Sequence, residues 1–164
     1  MENKRSKGAL LLGILLSLYS LKKLLPHLSG QFHFERVKLI CQPLPDSIIF
    51  ILFSISVISI LLGLISGVGI LFFKDFFRKI SLAVGYYVLY SYLVEFPLLA
   101  AKNFPKWVEK VAKEDIMIAN PNITYGNATS LVKNYFFSNL IFEIVCFSII
   151  IYFFTRPTVK EQFK

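Results

Sequence analysis

Charge is scarce in this chain. Only 17% of its 164 residues are Asp, Glu, Lys or Arg, against 55% hydrophobic, and the mean hydropathy is +0.63. A soluble domain of this size needs far more charge to cover its surface, which argues against a soluble globular fold. Cysteine is scarce too. Cys41 lies in a polar loop and Cys146 deep in an apolar run, which leaves no CxxC pair for redox work and no geometry for a bridge between them. The only histidines, His27 and His33, share a loop with Glu35 and Cys41 at no recognised metal-ligand spacing, so ordinary loop polarity is the expected role. Walker, GxSxG and HExxH signatures are missing, and no Asp cluster could hold magnesium for phosphoryl or headgroup transfer. The expectation is a non-enzymatic protein with no catalytic residue, metal or cofactor.

Long apolar runs take the place of charge. Residues 47–73 and 80–94 carry none, and residues 135–154 are interrupted only by Glu143. The first run would reach about 40 Å as a helix, longer than the roughly 30 Å hydrocarbon core of a bilayer. The N-terminal apolar stretch, residues 8–21, reaches only about 21 Å and admits two readings. In one, the helix continues through Lys22 and Lys23, whose stems snorkel to the interface, and ends near Pro26. In the other it is a secretory signal, but Leu18 is too large for the small-residue cleavage pattern, which favours a retained span. The predicted fold is therefore all-α: one membrane domain over residues 1–164, a transmembrane four-helix bundle with spans near 8–26, 47–73, 80–101 and 135–154. Pro97 is expected to kink or end the third span.

The polar connections are residues 27–46 and 102–134. Alternation over residues 31–39 reads as a short half-exposed strand. Residues 105–117 read as an amphipathic helix, with Trp107, Val108, Val111, Ala112 and Ile116 on one face and Lys106, Glu109, Lys110, Lys113 and Glu114 on the other. Such a helix either lies on the bilayer surface between spans three and four or packs on the bundle. Asn120-Pro121-Asn122 then breaks it and Gly126-Asn127 reads as a turn. Asn122-Ile123-Thr124 and Asn127-Ala128-Thr129 match the glycosylation pattern, which matters only in a eukaryotic host.

The net charge of +8 does not indicate nucleic acid, because the basic residues sit at the ends of the apolar runs. Four spans bring the N-terminus, the Lys74–Lys79 turn and the C-terminal tail to one side. These pieces are short and dense in Lys and Arg, so both termini are expected to be cytoplasmic, in a multi-pass protein of the cell membrane.

Two acids interrupt apolar spans. Glu95 lies about 9 Å inside Ala101 and Glu143 about 13 Å inside Asn134, counted at 1.5 Å per residue, so the carboxyls could meet at similar depth. A charge there costs on the order of 3 kcal/mol or more and normally faces protein or water. Met as a pair, the acids would suit proton or cation handling. Apart, Glu95 would mark the interface, and Glu143 would be interhelical glue bonded to a Tyr or Asn, with Asn139 one turn away on its face. Gly63 and Gly67 form a GxxxG motif extended by Ser59, a face on which another helix can pack closely. That helix belongs either to this chain or to a partner, whether a second copy or another membrane protein.

The ending Tyr152-Phe153-Phe154-Thr155-Arg156-Pro157-Thr158-Val159-Lys160-Glu161-Gln162-Phe163 resembles the tails of small, uncharacterised four-span membrane proteins of bacteria. The likeness covers about a dozen residues and the general layout. It implies four spans in a prokaryotic membrane and no assigned activity. The functional expectation is a structural, assembly or accessory membrane protein; the alternative is a small oligomeric transporter or channel subunit that uses Glu143 and Glu95.

Overall fold

A computed structural model describes residues 7–28, 34–72 and 74–163. Apart from short turns and connections these are helical, with no strand among them: α1 (Lys7–Leu28), α2 (Phe34–Cys41), α3 (Asp46–Ile70), α4 (Asp75–Tyr90), α5 (Phe104–Val111), α6 (Met117–Ala119), α7 (Tyr125–Thr155) and α8 (Pro157–Lys160). Three of them, α1, α3 and α7, are long and apolar enough to cross a membrane.

Helix α4 does not stop at Tyr90. Its backbone stays helical into a wider π-helical stretch, Ser91–Ala100, which contains Pro97. Proline has no N–H to donate and its ring presses on the carbonyl one turn back, and widening the helix absorbs both demands. Pro97 thus distorts the third apolar segment without ending it. The segment also begins earlier than expected, because residues 75–79 form its first turns, with the Phe77 amide donating to the Lys74 carbonyl at 3.0 Å. Helix α7 starts at Tyr125, ten residues before its apolar run, so the Gly126-Asn127 pair lies inside its first turn; Thr124 caps it by accepting from the Asn127 amide. The strand expected over residues 31–39 is corrected as well. Residues 34–41 form α2, and residues 31–33 lie outside the described ones. With no neighbouring strand to take its backbone hydrogen bonds, the segment satisfies them locally as a helix.

The long helices run antiparallel, with α1 on α3, α3 on α4 and α4 on α7 the closely packed neighbours. Small residues set the tightest of these contacts. A Cβ on Gly67 would stand 2.8 Å from the Ser17 amide nitrogen and 2.9 Å from the Gly13 carbonyl oxygen, and one on Gly63 2.6 Å from the Ser20 hydroxyl. The GxxxG face therefore packs inside the chain, against Gly13, Ser17 and Ser20 of α1. Ser59 lies one turn beyond, its hydroxyl donating to the Ile55 carbonyl at 2.8 Å.

Below this seam lies a dry core of Ala9, Leu16, Ile70, Val84, Phe147, Ile150 and Phe154, closed by Val159 and Phe163 of the tail. Arg78, buried, fixes that end. Its guanidinium donates to the Phe154 carbonyl at 2.9 Å, one of the acceptors a helix end leaves unsatisfied, and to Asp75 at 2.7 Å. At the other end, Val108 and Ala112 pack on Ala128 and Val132 of α7. The amphipathic segment after Asn103 thus turns its apolar face to the bundle.

Replacement of Gly67 by Ala should push α1 and α3 apart and cost about 1–3 kcal/mol. Gly126→Ala, with nothing within 4 Å of the new Cβ, should stabilise by up to about 1 kcal/mol through helix propensity. Reversible unfolding in mixed detergent micelles measures both, and equal effects would contradict the close approach.

Candidate functional site: a carboxylate held between three helices

Glu143 is buried at 2% exposure, and donors from two other helices converge on it. Lys23 of α1 brings its Nζ to 2.5 Å from Oε1. Tyr19, one turn earlier on the same face, donates its hydroxyl to Oε2 at 2.7 Å, and Tyr92, in the π-helical stretch after α4, donates to the same oxygen. The Tyr19 ring also stands edge-on to Phe147, one turn from Glu143, with centroids 5.2 Å apart, and the Lys23 ammonium lies 5.6 Å from the Tyr19 ring centre. Each of the three helices contributes to the cluster, so the carboxylate ties the bundle together at one level.

The two acids do not share a cavity. Glu143 borders a cavity of about 300 Å³ together with Lys22, Lys23, Tyr92, Trp107 and Asn139. Glu95 borders another, of about 330 Å³, with Cys41, Ser56 and Ser91. A third, of about 230 Å³, is lined by the hydroxyls of Ser20, Ser56, Ser59, Tyr87 and Ser91. Lys23 and Tyr92 border all three. The Ser91 hydroxyl is buried without a hydrogen-bond partner among the described residues. Asn139 shares the Glu143 cavity, yet its amide donates to the Tyr135 carbonyl at 2.7 Å. Cys41 and Cys146 are both free, and burial, then the Glu95 charge, raises the Cys41 thiol above its ordinary value. No group of three or more His, Cys, Asp or Glu that could hold a metal ion occurs among the described residues. His27 and Glu35 have no described side chains, and His33 lies outside the described residues.

Chemically, this is a satisfied site. A carboxylate has room for about four hydrogen bonds, and an ammonium with two phenols supplies strong donors to both oxygens. Of the residues singled out in the sequence, Glu143 and Asn139 border one cavity, Glu95 and Ser59 border others, and Gly63 and Gly67 serve helix packing. Sequence reasoning missed Lys23 as the counter-ion, because a lysine near a helix end already has a sufficient role in snorkelling. The i, i+4 spacing of Tyr19 and Lys23 was the available signal. Comparison with family models, curated proteins and solved structures gave no match.

Lys23→Met strands a buried carboxylate and should cost about 3–5 kcal/mol. Glu143→Leu should cost less, about 2–3 kcal/mol, because the Lys23 side chain is 36% exposed and its ammonium can turn to water. The double variant should lose about 2–3 kcal/mol less than the two single losses added together, a coupling that reports the pair. Additive losses in the same unfolding assay would show that the two side chains do not pair.

Proposed function

We propose that this chain is a multi-pass membrane protein of structural, assembly or accessory type and not an enzyme. In this reading α1, α3, the helix from Asp75 to Ala100, and α7 form four spans. The observation that carries it is the occupation of both Glu143 oxygens by Lys23, Tyr19 and Tyr92. An acid that ferries protons or cations must exchange partners, whereas this one is neutralised within the bundle. Intramembrane ions that pair with each other across helices act as fasteners.

Charge placement supports the topology. Antiparallel packing gathers Lys7, Lys74, Arg78, Lys79, Arg156 and Lys160 at one end, the pattern of a cytoplasmic face, with both termini there. The segment of residues 104–119 then lies at the outer interface, its apolar side on α7 and its charged side toward water. The bilayer is the first partner. Because the Gly63/Gly67 face is occupied by α1, a second copy or another membrane protein would dock on the outward face of α3, where Phe50, Ile51, Ile58 and Ile65 are exposed. A small transporter or channel subunit is the second reading, favoured by the cavity that Glu143, Asn139 and Tyr92 border.

Epitope tags on both ends should be reachable in inverted vesicles and shielded in right-side-out ones. In proteoliposomes, native protein and Glu143→Gln should both leave proton and cation flux at the level of empty vesicles. Flux with native protein that Glu143→Gln abolishes would replace the accessory reading with the transport one.

A further inference from the structure

The backbones of α1 and α7 approach each other less closely than those of the other neighbouring pairs. The bundle's closely packed pairs account for three sides, and the fourth, the seam between α1 and α7, is closed by side chains, Tyr19 on Phe147 and Lys23 on Glu143. Two cavities lie end to end in that seam. One, of about 370 Å³, is an apolar trough between Leu12, Leu15 and Leu16 of α1 and Phe142, Cys146 and Ile149 of α7. The other is the 300 Å³ cavity beside Glu143, bordered also by Lys22, Trp107 and Tyr135.

Helical spacing aligns them. Leu12, Leu15, Tyr19, Lys22 and Pro26 recur at intervals of three and four on α1, as do Asn139, Phe142, Cys146 and Ile149 on α7. Each stripe is one face of its helix, so the seam carries, in line, a polar, aromatic head and an apolar trough. From Lys23 to Leu12 it runs roughly 16 Å, close to half of a roughly 30 Å hydrocarbon core. The head carries two ammonium groups and one carboxylate, and Lys23 already engages that carboxylate. Lys22 is exposed and has no ion-pair partner among the described residues. Among the described residues that line it, the head therefore holds one net positive charge beside a Trp and a Tyr, side chains that favour the headgroup level.

We propose that head and trough together form one groove that holds a bilayer phospholipid with an anionic headgroup, its phosphate region at Lys22 and one acyl chain along the trough between α1 and α7. The inference rests on the reading that the chain spans a bilayer. Charge complementarity selects the headgroup, and the length and apolarity of the trough select the chain.

The test uses the full chain in nanodiscs containing phosphatidylglycerol or phosphatidylcholine with a photoreactive group midway along one acyl chain. Crosslinks are mapped by mass spectrometry. Phosphatidylglycerol should label the peptides around Leu15 and Phe142 several-fold more than phosphatidylcholine does. Lys22→Gln should bring that ratio to about one, and Leu15→Trp, which fills the trough, should reduce labelling by both lipids; neither variant removes a donor to Glu143. Equal labelling by the two lipids, spread evenly over the groove and the outward face of α3, would overturn the proposal. Alkaline carbonate extraction separates the two levels. Protein retained in membranes but labelled evenly overturns the groove alone, whereas protein released by carbonate overturns the membrane reading as well.

Discussion

A carboxylate with 2% exposure, surrounded by helices, must have its charge answered from within the chain, and that requirement organises the structure around Glu143. Its partners come from an early helix and from the stretch after α4, so α1, the Asp75–Ala100 segment and α7 share one register at one level. A slide of any of them by a turn would leave the acid with fewer donors in an apolar setting. Ion pairs of this kind specify arrangement more than they add stability, because desolvation of both charges offsets much of their attraction.

Close packing completes what the ion pair begins. Below Glu143, Gly13, Gly63 and Gly67 bring the backbones of α1 and α3 together, and the aliphatic and aromatic core leaves little room for water. Above it, polar cavities meet at Lys23 and Tyr92. The molecule is thus divided into a dry half, sealed by the returning tail and by Arg78 on the end of α7, and a polar half. Glu143 and its donors form the boundary between them.

Much of this layout was legible. The charge-free run over residues 47–73 announced α3, and the cost of an acid inside residues 135–154 singled out Glu143 as a side chain that needs partners. Other features depended on tertiary packing. Residues 125–134 are polar and look like loop, yet Ala128 and Val132 find Val108 and Ala112, and that contact extends α7 by almost three turns. Alternation at residues 31–39 resembled a strand, but a strand needs a neighbour that this chain does not offer among its described residues. The depth count that paired Glu95 with Glu143 assumed regular α-helix measured from the ends of the apolar runs. The π-helical stretch changes that register, and Tyr92, three residues before Glu95, is the group that reaches Glu143.

The claim on which this account turns is the pairing of Lys23 with Glu143 inside the bundle. Solid-state NMR tests it most directly, in bilayers, with ¹⁵N at lysine Nζ and ¹³C at the glutamate side-chain carboxyl, and with Lys23→Gln as the assignment control. An Nζ–Oε1 separation of 2.5 Å predicts strong nitrogen–carbon dipolar dephasing of one glutamate carboxyl signal, lost in the control. Dephasing that is absent from the native protein, or that persists unchanged in Lys23→Gln, would contradict the pairing and the arrangement of helices built on it.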